Sequence, residues 1–272
     1  ITRELYNTFD KWARRLPGGL GMATIAACAA FGAVSGSSVA AAAAMGNVAL
    51  PEMRRFGYDP KLGCGVIAAG GTLSFLIPPS LGFVVFGMLT EQSIGKLLIS
   101  GILPGILMSL SFIACVIVLV GINPALAPRS TEKVTFREKI VALKGVWELL
   151  LVFFIVMGGI YLGFINPTEA GAIGATALFI IVILKRKLTI ANLFSSMLEM
   201  ARISIMVLFL VAGATLFSYF LALSTIPTVV STWISGLGVS KYVILLIIIA
   251  IYFVLGCFLD SVSMMVLTLP VI

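Results

Sequence analysis

Long apolar segments alternate with short polar or basic connections along nearly the whole chain. A helix needs about 17–25 apolar residues to cross a bilayer, and five segments meet this requirement. These segments are residues 62–90, 94–120, 146–163, 168–184 and 203–223. The pattern therefore predicts an all-α polytopic membrane protein with five complete crossings.

A further apolar segment, residues 17–51, is interrupted in its middle by the polar sequence Ser35-Gly36-Ser37-Ser38. Lipid cannot hydrogen-bond an interrupted backbone, so such a break must be buried in protein or line a wet cavity. The flanking parts, residues 18–34 and 38–50, are too short to cross a bilayer separately. They are predicted to form the two half-helices of a re-entrant hairpin whose tip is Ser35–Ser38.

A second interruption of this kind lies in the apolar residues 240–272, where the sequence reads Leu259-Asp260-Ser261-Val262-Ser263. Residues 1–16 and 224–238 precede the two predicted hairpins, and both segments are typical of interfacial arm helices. The same features thus recur in the same order: arm helix, half-helix, polar tip, short half-helix and proline. This order predicts an inverted repeat with broken helices, which is an architecture of secondary transporters.

The basic residues predict the orientation of both hairpins. Of the 18 lysines and arginines, only Lys96 and Lys241 fall on the predicted outer side. By the positive-inside rule, the first hairpin opens on the cytoplasmic side. Five crossings separate the two hairpins, and five is odd, so the second hairpin is predicted to open on the periplasmic side.

In the crossing at residues 62–90, the glycine pair Gly70-Gly71 is followed by a double proline, Pro78-Pro79. Both residue types interrupt helices. The sequence therefore predicts a discontinuous helix, with an unwound segment at residues 71–79 between helices at 62–70 and 80–90.

Composition excludes several classes of function. The chain is 60% hydrophobic and 11% charged, and it contains no histidine. Ser-His-Asp catalysis and histidine-bound zinc are therefore absent from it, and neither an enzyme nor an organic cofactor is expected. The net charge of +7 is spread over short loops and forms no aromatic-interleaved basic patch, so the expected environment is a lipid bilayer and not nucleic acid.

The predicted breaks suggest an ion and substrate site. The C-terminal ends of half-helices and unwound carbonyls attract cations, whereas the N-terminal ends attract anions. The residues predicted to hold Na⁺ are Ser35, Gly36, Ser37, Gly70, Gly71, Thr72, Pro78 and Asp260. The residues predicted to contact substrate are Ser37, Ser38, Asn47, Ser80, Asp260 and Ser261. The first tip has no carboxylate, which favours a monovalent cation over Ca²⁺.

Several polar residues have more than one interpretation. Asp260 is an acid inside an apolar segment, where acids usually serve function; it is interpreted as a cation ligand, a proton carrier or a helix cap. Asn47 is interpreted as a substrate contact or as a helix–helix hydrogen-bonding group. Glu148 and Glu169 lie near the ends of crossings, where solvated or capping roles are expected.

The order of these motifs resembles the large, DctM-like membrane subunit of tripartite ATP-independent periplasmic (TRAP) transporters. The resemblance covers nearly the whole chain. It is carried by Pro51-Glu52-Met53, Gly57-Tyr58, Ile77-Pro78-Pro79-Ser80, Pro167-Thr168-Glu169 and the sequence from Gly256 to Ser263.

The resemblance implies Na⁺-coupled import of an organic acid anion, of the sialic acid or C4-dicarboxylate type, by an elevator mechanism of the ion transporter superfamily kind. It also implies a small four-helix (DctQ-like) membrane subunit, a periplasmic (DctP-like) substrate-binding protein and a bacterial inner-membrane location. Full members have further N- and C-terminal sections, so the chain is expected to be a fragment. The alternative is another inverted-repeat anion transporter, coupled to Na⁺ or H⁺, that needs no binding protein.

Overall fold

In the computed structural model, the described residues are 2–128, 134–186, 188–236, 238 and 240–269, and the regular structure among them is helical. The helices are α1 (Thr2–Ala13), α2 (Gly19–Ser35), α3 (Ser38–Arg55), α4 (Pro60–Leu76), α5 (Leu81–Thr90), α6 (Ile94–Ile122), α7 (Phe136–Leu143), α8 (Trp147–Tyr161), α9 (Pro167–Leu184), α10 (Ile190–Ser224), α11 (Ile226–Gly236), α12 (Lys241–Gly256) and α13 (Ser261–Thr268). A short 3₁₀ helix, Pro124–Leu126, follows α6.

The lengths of these helices agree with the predicted crossings. In the part of the chain that the structure describes, three helices, α6, α9 and α10, are each long and apolar enough to cross a membrane. The bent pairs α4–α5 and α7–α8 raise the number to five if each pair is one span. Among the described residues, the shorter apolar helices are α2 and α12, the first arms of the two predicted hairpins. The chain is therefore a multi-pass membrane protein.

Large apolar side chains on the outside of the helices require lipid or protein contact. On α10, Ile190, Phe209 and Leu223 are each at least 80% exposed. Exposure of such an apolar surface to water along a 35-residue helix would be unfavourable. The hydrophobic exterior therefore agrees with a membrane environment.

The chain divides into two compact units. The first comprises Ile1–Val84 and Ser93–Lys187, and the second comprises Val85–Gln92 and Leu188–Ile272. In the first unit, α4 packs between α2 and α3. Its buried residues Val66, Ile67 and Leu73 belong to the same core as Leu5 and Tyr6 of α1.

In the second unit, α12 ends at Gly256 and α13 begins at Ser261, so the helix break lies where the sequence predicts it. Tyr252 of α12 and Thr268 of α13 share a hydrogen bond of 2.6 Å between their hydroxyls. The contact joins the two helices across the break.

The prediction of an unwound segment at residues 71–79 is wrong. α4 continues through Gly70, Gly71 and Thr72 to Leu76, and only Ile77–Ser80 is non-helical. A glycine costs a helix about 1 kcal/mol relative to alanine, which tertiary packing readily offsets. The double proline supplies the stronger interruption, because it removes amide donors and restricts the residue before it.

Two further boundaries differ from the predictions. α3 continues past Pro51 to Arg55, although proline removes one helical hydrogen bond and crowds the carbonyl four residues earlier. The connection between the crossings 94–120 and 146–163, predicted as a loop over residues 121–145, contains α7, which begins with a capping box between Thr135 and Glu138. Residues 190–202, for which the sequence allows either an interfacial helix or the beginning of the next crossing, are the beginning of α10.

Candidate functional site

The two ends of the first hairpin lie together, away from its tip. The backbone N–H of Leu20, at the start of α2, donates to the hydroxyl of Tyr58, just after α3, at 3.2 Å. Burial raises the pKa of Tyr58, so the hydroxyl remains neutral at physiological pH. α2 and α3 thus form a helical hairpin that the chain enters and leaves at one end.

Arm helix α1 lies against the same end of the hairpin. Arg14 pairs with Asp10 one turn earlier and places its guanidinium 5.3 Å from the centre of the Phe56 ring. Asp10 is buried, so this ion pair has little access to water. The arm helix is therefore anchored to the base of the hairpin by charged and aromatic contacts.

The tip itself consists of two residues, Gly36 and Ser37. Gly36 is buried and adopts a left-handed backbone conformation, with φ at 62°. Glycine adopts this conformation without strain, whereas other residues lose about 1–2 kcal/mol. Ser37 then caps α3, since its side-chain oxygen accepts from the N–H of Ala40 at 3.3 Å.

The break in the α4–α5 pair lies directly against this tip. A β-carbon added to Gly36 would stand 3.4 Å from the carbonyl oxygen of Pro79 and 3.3 Å from the nitrogen of Leu81. Ser80 is buried and closes the break: its hydroxyl donates to the carbonyl of Phe75 and accepts from the N–H of Gly82. Two helix breaks, each with a serine at the start of the following helix, therefore meet.

Four helix ends converge at this meeting point. The ends of α2 and α4 contribute carbonyls that have no amide partner within their own helices. The starts of α3 and α5 contribute N–H groups and the positive ends of their dipoles. The arrangement therefore offers oxygen ligands to a cation and N–H donors to an anion in one place.

One buried polar atom beside this point lacks a partner. The hydroxyl oxygen of Ser74 is fully buried and has no hydrogen bond within the described part of the chain. It lies between α2 and α4, where a β-carbon on Gly32 would be 2.6 Å from it. Native proteins rarely leave a buried hydroxyl unpaired unless a water, an ion or a function accounts for it.

The other residues predicted for the site differ in their positions. Gly71 packs against the start of α3, since its added β-carbon would be 3.1 Å from the carbonyl oxygen of Ser38. Gly70 packs instead on Cys28, and the Thr72 hydroxyl bonds to Ala69 of its own helix. Asn47 is exposed on α3, ten residues and about 15 Å beyond Ser37.

In the second unit, Asp260 caps α13. Its carboxylate accepts from the N–H of Val262 at 3.2 Å, and the side chain is otherwise exposed. The capping interpretation is therefore confirmed. The roles of Asp260 and Ser261 in binding an ion or substrate stay predictions.

The two glutamates near span ends differ from one another. Glu169 forms a capping box with Asn166 at the start of α9, which confirms its predicted capping role. Glu148 is buried, and its carboxylate lies 2.7 Å from the ammonium of Lys185 at the end of α9. The prediction of a solvated or capping role for Glu148 is therefore wrong, because α8 and α9 pack so that the two charges meet.

Loss of one partner from the Glu148–Lys185 pair is expected to destabilise the protein. Lys185→Gln leaves the buried carboxylate of Glu148 unpaired and should lower the free energy of unfolding by about 2 kcal/mol. This loss is smaller than for a fully buried pair, because 31% of the lysine side chain is exposed. Adding Glu148→Gln should restore most of the loss. Thermal unfolding of the full-length protein measures both effects, with Lys144→Gln as an exposed control.

The hydrogen bond to Glu148 raises the pKa of Lys185 above its ordinary value. A raised lysine pKa stabilises the fold below the unfolded-state value of about 10.4 and loses that contribution as pH rises through the folded-state value. The pair therefore contributes fully at physiological pH. Equal unfolding temperatures for wild type and Lys185→Gln at pH 7 would exclude this contribution.

Comparison with known proteins gives a consistent family. A family model described as "Tripartite ATP-independent periplasmic transporter, DctM component" matches residues 1–272. The C4-dicarboxylate TRAP transporter large permease protein DctM of Pseudomonas aeruginosa is 34% identical over 275 residues, covering 100% of this chain and 63% of that protein.

Other relatives carry different substrate names. The 2,3-diketo-L-gulonate TRAP transporter large permease protein YiaN of Escherichia coli is 32% identical, with 100% of this chain and 64% of that protein covered. The sialic acid TRAP transporter permease protein SiaT of Haemophilus influenzae is 30% identical, with 100% and 44% covered. The chain thus spans less than two thirds of the length of these relatives, all of which are named as transporter permeases and not as enzymes.

Proposed function

The chain belongs to the DctM family of tripartite ATP-independent periplasmic transporter components, and we propose that it forms the ion- and substrate-binding part of a Na⁺-coupled importer of organic acid anions. The observation that carries this proposal is the contact between the tip of the α2–α3 hairpin and the break at Ile77–Ser80. Such paired breaks are the binding elements of inverted-repeat transporters.

The chemistry of the contact fits a monovalent cation. Carbonyls from the ends of α2 and α4 provide neutral oxygen ligands, and the unpaired hydroxyl of Ser74 provides another. The described residues hold no cluster of three or more histidine, cysteine or acidic side chains that would bind a metal. Neutral oxygens match Na⁺, whereas Ca²⁺ sites use carboxylates.

The starts of α3 and α5 suit the carboxylate of an organic acid. The names of the relatives, C4-dicarboxylate, 2,3-diketo-L-gulonate and sialic acid, all describe acids that are anionic at neutral pH. We therefore assign the substrate class as an organic acid anion.

The hairpin is a re-entrant element in this proposal. α2 has 17 residues and is about 26 Å long, which is short of the roughly 30 Å hydrocarbon core. Its two ends lie together, on the side that the basic residues assign to the cytoplasm. The hairpin packs closely against α4. The proposed elevator step is a joint movement of the hairpin and α4 in the bacterial inner membrane.

The family implies two partners, a small membrane subunit and a periplasmic binding protein. Uptake by the complete transporter in proteoliposomes should therefore need an inward Na⁺ gradient and the substrate-loaded binding protein, and it should proceed without ATP. Replacing external Na⁺ by K⁺ should abolish accumulation of the labelled organic acid. Accumulation from free substrate, without the binding protein, would favour the alternative of a transporter that takes its substrate directly.

A further inference from the structure

A narrow apolar groove runs along the surface of the first unit between α4 and α6. Its volume is about 400 Å³, and its floor includes Ile25 of α2. Gly65 and Ala69 line one wall, and Phe112 and Cys115 line the other. Lys61 is the charged residue of the lining.

The groove lies along the first half of α4, from Lys61 to Ala69. The N–H of Asp59 donates to the carbonyl of Leu126 at 2.9 Å, which places the start of α4 beside the end of α6. From Lys61 to Ala69 the helix rises about 12 Å, and half of the hydrocarbon core is about 15 Å. One end of the groove is thus basic, and the remainder is apolar.

The groove is apolar along its length except at Lys61. A volume of about 400 Å³ has room for a flexible acyl chain that follows the groove between α4 and α6.

The charge of Lys61, at one end of the groove, favours an acyl chain that belongs to an anionic lipid. Within the described residues, the ammonium of Lys61 has no ion-pair partner: Asp59, the nearest acid in sequence, accepts instead from the backbone N–H of Lys61 at 2.7 Å. Lys61 also lies on the side that the positive-inside rule assigns to the cytoplasm. A basic residue at this level attracts anionic lipid headgroups.

We propose that this groove binds one acyl chain of an anionic phospholipid of the cytoplasmic leaflet, with the headgroup phosphate at Lys61. The bound lipid covers the seam between α4 and α6 near the start of α4, whereas the hairpin tip lies at the end of α4. The site is separate from the proposed ion and substrate site.

The test is titration of the delipidated full-length transporter with phosphatidylglycerol or phosphatidylcholine of identical acyl chains, followed by native mass spectrometry. Lys61→Gln should weaken phosphatidylglycerol binding about five-fold and leave phosphatidylcholine binding unchanged. Gly65→Phe should abolish the tightest binding of both lipids, because a β-carbon at Gly65 meets open space and the ring fills the groove. Matched controls are Lys144→Gln and Gly171→Phe, the latter also at a position with open space.

A second measurement locates the lipid without any substitution. Phosphatidylglycerol with a photoactivatable acyl chain should cross-link to the wild-type protein on the α6 face that carries Phe112 and Cys115. Cross-links confined to other helices would overturn the proposal, as would equal loss of binding in Lys61→Gln and Lys144→Gln. If Gly65→Phe fails to assemble and the lipid does not cross-link to α6, the proposal is also overturned, and the groove is occupied by a protein segment instead.

Discussion

Replacing Gly36 by alanine is expected to raise the Na⁺ concentration for half-maximal uptake by about five- to thirty-fold. The left-handed conformation of Gly36, with φ at 62°, disfavours any residue with a β-carbon by about 1–2 kcal/mol. The added carbon also stands 3.3 Å from the nitrogen of Leu81 in the facing break. Both effects reduce the fraction of molecules with the binding geometry, and the apparent affinity falls in proportion. Na⁺-dependent uptake by the complete transporter measures the change.

The chain offers a matched control for the backbone part of this effect. Gly163 has φ at 74°, but a β-carbon there meets nothing within 4 Å. Gly163→Ala should therefore lower stability by a similar amount without changing the Na⁺ dependence. Gly36→Asn separates the two causes at the tip, because asparagine tolerates the left-handed conformation but still carries a β-carbon. Wild-type Na⁺ dependence in Gly36→Ala would remove the tip from the ion site.

The position of this tip was predictable because its signal is local. Ser35-Gly36-Ser37-Ser38 combines a glycine that ends one helix with serines that start the next, inside a segment that is otherwise apolar. α2 and α3 end and begin within a residue or two of the predicted positions. Local helix-capping chemistry and the thickness of a bilayer are sufficient for that inference.

The glycines of α4 show where local reasoning fails. The sequence predicts that Gly70 and Gly71 interrupt the helix, yet they allow it to approach Cys28 on one side and Ala42 on the other. A glycine has the same sequence signature in a break and in a close helix contact. Only the tertiary arrangement distinguishes the two, so their carbonyls were wrongly expected to be free.

Contacts between residues that are distant in sequence could not be predicted either. Glu148 and Lys185 belong to different helices, and their pairing depends on how α8 packs on α9. Ser74 lies in an apolar stretch without any motif, so its buried, unpaired hydroxyl appears only in the folded chain. The assignment of Asp260 to the same Na⁺ site as the first tip stays a prediction.

Asp260→Asn is expected to reduce uptake by roughly ten- to hundredfold without destabilising the protein. Asparagine and aspartate are about equally good at the start of a helix, so the bond to the N–H of Val262 should survive the substitution. The negative charge is lost, however, and hydrogen bonds or contacts that involve a charged group contribute about 1.5–3 kcal/mol. Uptake rates and unfolding temperature, measured on the same preparation of the complete transporter, separate the two roles.

Two further variants decide whether the charge or the cap of Asp260 matters. Asp260→Ala removes both, so it should lose transport and about 1 kcal/mol of stability. Asp59 caps α4 in the same way, with its carboxylate 2.7 Å from the N–H of Lys61, and Asp59→Asn should transport normally. If Asp260→Asn also transports normally and only Asp260→Ala fails, Asp260 serves as a helix cap alone. If Asp260→Asn fails at an unchanged unfolding temperature, the carboxylate charge is part of transport, because the cap is still present.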